Sequence, residues 1–191
     1  MPNKTLSLNF LNLLEWKRFE EVCAAYFETL AFRSLVTRIG ADGGVDMHLF
    51  VEGEPSPSIV VRCKAWKTYE VGVDPVKELL GLMIAARVNE GIFVTTGTFT
   101  AEAYGFASGK NIHLIDGPDL VAKLRALAPE EHRAVLDLAT AGDYMTPTCP
   151  SCAIKMVRRN ARAGGDPYWG CSNYPRCDST LKITRLRERA F

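Results

Sequence analysis

No run in this 191-residue chain approaches about eighteen consecutive apolar residues, which excludes a membrane-spanning helix on sequence grounds. The opening residues, MPNKTLSLNFLNLLEW, lack the basic region, long apolar core and small-residue cleavage site of a secretory signal, so the chain is expected in the cytoplasm. Internal repeats and low-complexity tracts are also missing. Hydrophobic residues at 47% and charged residues at 24% are ordinary globular values, which excludes disordered and fibrous classes. A large net charge is absent too, but the overall +1 conceals an asymmetry. Residues 1–143 carry 14 Lys and Arg against 19 Asp and Glu, whereas residues 144–191 carry 9 against 3. A compact basic end on an acidic chain favours a polyanionic partner, and nucleic acid is the commonest.

Cysteine is too sparse and too unevenly placed for a disulfide framework. Of the six, Cys23 falls in an apolar helical pattern and Cys63 in a strand pattern, as buried reduced thiols do. The other four, Cys149, Cys152, Cys171 and Cys177, form C-x2-C-x18-C-x5-C. Two close pairs separated by a loop suit a tetrahedral zinc ion with four thiolate ligands, a closed and therefore structural site. So short a segment with few large aliphatics cannot build its own core, and the metal is expected to supply most of its folding free energy.

Length allows one domain with a sizeable core and one small appendage. Leu13, Trp16, Phe19, Cys23, Tyr26, Phe27 and Leu30 recur at helical spacing. A strand is expected over 45–52 and another over 58–66, after an extended stretch at 34–39 and a glycine-rich turn at 40–44, giving a β-meander. Asp74 and Pro75 suggest the N-cap and first turn of a helix reaching about residue 88. A short apolar strand at 91–95, a helix near 101–108, a strand at 111–115 and helices over 118–126 and 129–139 follow. Strand-helix-strand order implies a parallel crossover. The fold class is therefore α/β, a mixed sheet flanked by helices, with a linker at 141–147 and a domain boundary between 143 and 144.

Period-two geometry turns Asp46 and His48 away from the apolar face of one strand, and Arg62 and Lys64 away from that of the next. If the strands pair, an aspartate and a lysine converge in a way that suits a Mg²⁺ ion and a water beside a phosphodiester. His48 reads as a peripheral packing or hydrogen-bonding group, and His113 and His132 have no evident partner.

Four blocks sharpen this: Trp16-Lys-Arg-Phe19-Glu20, Gly40-Ala-Asp-Gly-Gly-Val-Asp46, Val61-Arg-Cys-Lys64-Ala-Trp66 and Phe93-Val-Thr-Thr96-Gly97-Thr-Phe99. Over residues 12–127 the chain resembles the Mrr-type restriction endonuclease domain of the PD-(D/E)xK nucleases, a restriction-endonuclease-like fold. That resemblance implies Mg²⁺-dependent cleavage of DNA, often methylated DNA, in defence against foreign DNA. It makes Asp46 the metal-binding aspartate, Lys64 the lysine that orients or activates water, Glu20 the supporting helix acid and the Cys63 backbone carbonyl a further oxygen ligand. The family pattern has Gln or Glu two residues before the lysine. Arg62 stands there instead, and a guanidinium has only donors. Either Arg62 grips a phosphate and the site works with fewer protein ligands, or the chain is a catalytically silent DNA-binding protein.

The segment around the four cysteines resembles the C-terminal zinc ribbons of bacterial type I topoisomerases, which bind DNA. Tyr168, Trp169 and Tyr174 are interleaved with Arg158, Arg159, Arg162 and Arg176, so that rings stack on bases while guanidinium groups meet phosphates. The alternative is that Trp169 and Tyr174 only pack around the zinc. The basic tail of Arg185, Arg187 and Arg189 adds to the field. A protein-protein adaptor is the weakest reading, and a second copy of the chain is a further candidate partner.

Overall fold

The computed structural model describes residues 5–37, 44–65, 70–161 and 165–183. The turn glycines Gly40 and Gly43, Trp66, Arg162 and the basic tail lie outside the described residues.

A short helix α1 (Leu8–Leu11) precedes α2 (Trp16–Thr29), the amphipathic helix that the spacing predicted. Then come β1 (Phe32–Val36), β2 (Met47–Val51) and β3 (Ile59–Lys64), each antiparallel to its neighbour as the meander required. Helix α3 (Val73–Ala86) carries the chain across to β5 (Glu90–Thr95), which lies parallel to β3, and α4 (Ala101–Ala107) leads to β7 (Ile112–Ile115), parallel to β5. The five-stranded order is β1-β2-β3-β5-β7, a mixed sheet. Two two-residue strands, β4 (Glu70–Val71) and β6 (Thr98–Phe99), pair separately. Helices α5 (Gly117–Arg125) and α6 (Pro129–Thr140) complete the larger part.

The sheet is buried on both faces. Met47, Leu49, Val61, Cys63, Ile92 and Val94 pack under α2, α5 and α6 around Phe19 and Leu124, while Val60, Phe93 and Ile112 pack against α3 and α4. Both faces of β5 are therefore apolar, as parallel strands covered on both sides must be. Close approach fixes one glycine: a Cβ on Gly117 would stand 2.4 Å from the Thr96 carbonyl, and the Gly117 N–H donates to Gly97 O at 2.9 Å. The end of β5 is thereby tied to the start of α5.

One local expectation is corrected. Asp74 is not the cap of α3: Gly72 occupies that place without a side-chain bond, and Asp74 lies in the first turn, 3.1 Å from Lys77. The stretch 141–147, expected as a linker, carries local bonds of its own. Asp143 Oδ1 accepts from the N–H groups of Met145 at 3.1 Å and Thr146 at 2.9 Å, and the Tyr144 ring packs 5.8 Å from that of Phe10.

Beyond it, β8 (Met156–Arg159), β9 (Tyr168–Cys171) and β10 (Thr180–Lys182) form a three-stranded antiparallel sheet whose buried core, among the described residues, is Cys149, Met156, Trp169 and Cys171. Among the described residues no helix is long and apolar enough to cross a membrane.

Candidate functional site

Pairing of β2 with β3 ends at Met47 opposite Val61, and beyond that point the strands part. Asp46 sits at this fork. Its backbone N–H still donates to Val61 O at 3.0 Å, and its carboxylate Oδ2 accepts the Cys63 N–H at 2.6 Å and lies 3.4 Å from Lys64 Nζ. The expected Asp46 and Lys64 are thus brought together. In a strand, N–H and C=O of one residue point to the same side. Lys64 O is taken by Thr95 Oγ1 at 2.9 Å on the β5 side, so the Cys63 carbonyl opens on the β2 side with Asp46.

Glu20 reaches the same place from α2, where it is 8% exposed. Burial, then the nearby Asp46 charge, push its carboxyl up to about 8, with Lys64 pulling the other way. A buried Glu20 and a half-buried Asp46 that repel in this manner, beside a backbone carbonyl, form an all-oxygen donor set of the type a hard divalent cation prefers. The residues fit Mg²⁺.

One consequence is measurable in Mg²⁺-free buffer. The folded chain keeps the Glu20 proton up to about pH 8, whereas the unfolded chain releases it near 4.5. The native state therefore binds more protons between those values, and its stability falls as pH rises through the window and levels off above it. Glu20→Gln is expected to remove that slope, which denaturant midpoints at both ends of the window would register; an unchanged slope would remove Glu20 as its source.

Arg62 points to the same face of β3 as Lys64 but is engaged elsewhere: its Nη1 lies 2.5 Å from Glu78 Oε2 on α3. The pair has unequal surroundings, Arg62 being 15% exposed and Glu78 61%. His48 lies half-buried on β2, and His113 does have a partner, Glu90 Oε1 at 2.9 Å, because β5 and β7 are neighbours. Cys23 and Cys63 are both buried and meet across α2 and β3; burial and this contact hold the Cys63 thiol well above its ordinary range.

The four expected zinc ligands converge. Their sulfurs all lie within 4.8 Å of one another, with Cys149 and Cys177 Sγ 3.7 Å apart and Cys152 and Cys171 Sγ 3.3 Å apart. Zinc–sulfur bonds of about 2.3 Å place tetrahedral sulfurs about 3.8 Å apart, so the cluster fits the ion. Burial acts to raise the Cys149 thiol, but N–H groups of Ser151 and Cys152 outweigh it and bring it down to about 6, whereas burial pushes Cys171 up to about 12. A cation that replaces the shared protons relieves this uneven arrangement.

Of the expected DNA-facing residues of the ribbon, Arg158 and Arg176 are exposed and Tyr168 is half-buried. Arg159 lies over Gly170, donates to Cys171 O at 3.3 Å and sits 5.7 Å from the centre of the Tyr174 ring, which is 65% exposed. Together with Tyr168 these groups line an open groove of about 610 Å³. Trp169, expected among the stacking rings, is 5% exposed and packs against the zinc cluster.

Sequence reasoning missed Glu15. It is 2% exposed at the N-cap of α2 and accepts from Thr148 N–H at 3.1 Å, Thr148 Oγ1 at 2.9 Å and Lys155 Nζ at 3.1 Å. Nothing local marks it, since its partners lie more than 130 residues away along the chain.

The restriction endonuclease family profile (Mrr catalytic domain) matches residues 11–124, and that of the topoisomerase DNA-binding C4 zinc finger matches residues 146–185. The uncharacterized protein y4cE of Sinorhizobium fredii is 34% identical over 97 residues, 49% of this chain and 25% of that protein. The type IV methyl-directed restriction enzyme EcoKMrr of Escherichia coli is 29% identical over 110 residues, 54% of this chain and 36% of that enzyme. Among solved structures, the DNA modification-dependent restriction endonuclease AspBHI superposes with a TM-score of 0.51 at 25% identity, covering 70% of this chain and 39% of AspBHI. The chain thus spans well under half the length of these relatives.

Proposed function

The chain belongs to the restriction endonuclease family matched over residues 11–124, and we propose that it is a Mg²⁺-dependent DNA endonuclease that restricts foreign or methylated DNA in the cytoplasm. The observation that carries this reading is the fork between β2 and β3, where Asp46 and Lys64 stand 3.4 Å apart beside the buried Glu20. Asp46, Glu20 and the Cys63 carbonyl would hold the metal. When bound, Mg²⁺ stabilises charge on the phosphate and strengthens a water nucleophile. Lys64 orients the attacking water and offers its positive charge to the scissile phosphate, while its contact with Asp46 holds the ammonium at the fork. Residues 1–143 form the nuclease domain and residues 144–191 a zinc ribbon that grips DNA. Its zinc is structural, because four thiolates leave no open position. Arg158 and Arg176 meet phosphates, and Tyr168 and Tyr174 offer ring faces to bases.

Incubation with methylated and unmethylated plasmid, with Mg²⁺ or Mn²⁺ and without either, tests this: nicking that needs the metal is expected. Binding without nicking of either plasmid would leave the second reading, a catalytically silent DNA-binding protein, which Arg62 favours because it replaces an oxygen ligand by a cation.

Arg62 has a test of its own. Glu78 holds one Arg62 nitrogen, and in this reading the rest of the guanidinium grips a phosphate, so Arg62→Gln is expected to lower the slope of log affinity against log salt by about 1. An unchanged slope would deny Arg62 a phosphate contact.

A further inference from the structure

The zinc module is fastened to the nuclease domain beside the nuclease fork, and the fastening is a buried polar network. Glu15 ends the coil before α2, the helix that carries Glu20 one and a half turns further on. Its carboxylate takes two bonds from Thr148, the residue before the first zinc ligand, and one from Lys155, which in turn donates to Thr146 O at 2.9 Å. Thr148 and Lys155 face each other across an isolated β-bridge, so both arms of the first cysteine loop are held. Trp16 Nε1 donates to Thr148 O at 2.8 Å and the Glu15 N–H to Tyr144 O at 2.9 Å. A carboxylate this buried needs its partners, since a charge taken out of water without them is strongly disfavoured.

The fastening has a geometric result. A cleft of about 720 Å³ runs between the two parts, with Trp16, Glu20 and Thr37 on one side and Ser151, Cys152 and Ala153 on the other. The nuclease acid and the zinc knuckle therefore look into the same space.

We propose that Glu15 is a positioning residue that fixes the zinc ribbon against the nuclease domain, so that the knuckle forms the second wall of the nuclease cleft and both parts bind DNA as one rigid surface. This rests on the nuclease reading only for its effect on cleavage. For binding it requires no chemistry at all. A docked ribbon presents its basic groups at a set distance from the fork, whereas an undocked one is a tethered module whose contribution depends on chance encounter.

The test uses the whole zinc-loaded chain. Thr148→Val combined with Lys155→Ala removes two of the three ribbon-side donors to Glu15, the Thr148 hydroxyl and the Lys155 ammonium, and leaves the Thr148 N–H and the α2 cap, Glu15 to Lys17 N–H, in place. Glu15→Gln removes the charge while keeping an oxygen for the cap. Variants are compared at full zinc content by hydrogen exchange at the backbone N–H of residue 15 and the Trp16 indole N–H, affinity for a long duplex, and plasmid nicking. Faster exchange with about tenfold weaker duplex binding, and nicking reduced by at least as much, is the expected result. Faster exchange with affinity and nicking unchanged would overturn the proposal, and so would unchanged exchange. If the unaltered chain binds but does not nick, the nuclease reading falls, and the affinity comparison alone decides this one.

Discussion

Asp46→Asn is expected to reduce DNA cleavage by about three powers of ten while leaving the fold and DNA affinity nearly unchanged. The magnitude follows from the several kcal/mol that a bound divalent ion contributes to phosphoryl chemistry, at about 1.4 kcal/mol per tenfold in rate. Asn is the informative substitution because Asp46 has two duties. In the proposed site its charge serves the metal, and its Oδ2 also accepts the Cys63 N–H at 2.6 Å, which holds the two strands at the fork. Asn keeps an oxygen for that N–H and loses the charge. Asp46→Ala loses both, so it is expected to cost a further 1–3 kcal/mol or so of stability through an unmet buried donor. Nicking rates and denaturant midpoints of the two variants separate the duties. Equal stability of both variants would show that the Cys63 bond contributes little.

Removal of zinc carries the second large effect. Among its described residues the ribbon has four in its buried core, two of them cysteines, and its sheet strands are three or four residues long. The metal is therefore expected to supply on the order of 10 kcal/mol of folding free energy. Cys171→Ser breaks the thiolate set and also removes the sulfur that accepts from Asn173 N–H at 3.4 Å. Release of zinc, loss of ordered structure across the ribbon and weaker DNA binding are expected together. Zinc content, amide exchange and duplex affinity report them. Retained zinc with unchanged affinity would contradict both the ligand assignment and the grip on DNA. The effect is not confined to the ribbon, because Glu15 would lose Thr148 and Lys155 and be left as a buried carboxylate without them.

The parts of the fold visible in the sequence are those with a local signature. Alternation over 45–52 and in β3 brought Asp46, which lies just before β2, and Lys64 together, and the three-and-four spacing of Trp16, Phe19, Cys23 and Phe27 gave α2. Cysteine spacing gave the cluster. Features without such a signature escaped. The four-residue α1 and the two-residue β4 and β6 are shorter than any periodicity can register. Asp74 and Pro75 have the chemistry of a helix start, yet the chain leaves β4 directly into α3 through the extended Gly72, so the start came two residues earlier. Trp169 has the composition of a stacking residue, and only the zinc cluster beneath it shows that its ring is buried. The His113 partner on β5 appears once the parallel register is known, and Glu15 only once the ribbon is folded back on α2. Long-range contacts of this kind are set by topology, which no window of neighbouring residues contains.

The central claim is that the fork of β2 and β3 is a working nuclease site despite Arg62. Plasmid nicking in Mg²⁺ by the unaltered chain and by Lys64→Ala, with duplex affinity measured alongside, tests it most directly. The account predicts metal-dependent nicking that is lost in Lys64→Ala while binding persists. Nicking that survives the substitution, or that never occurs in either protein, would contradict it.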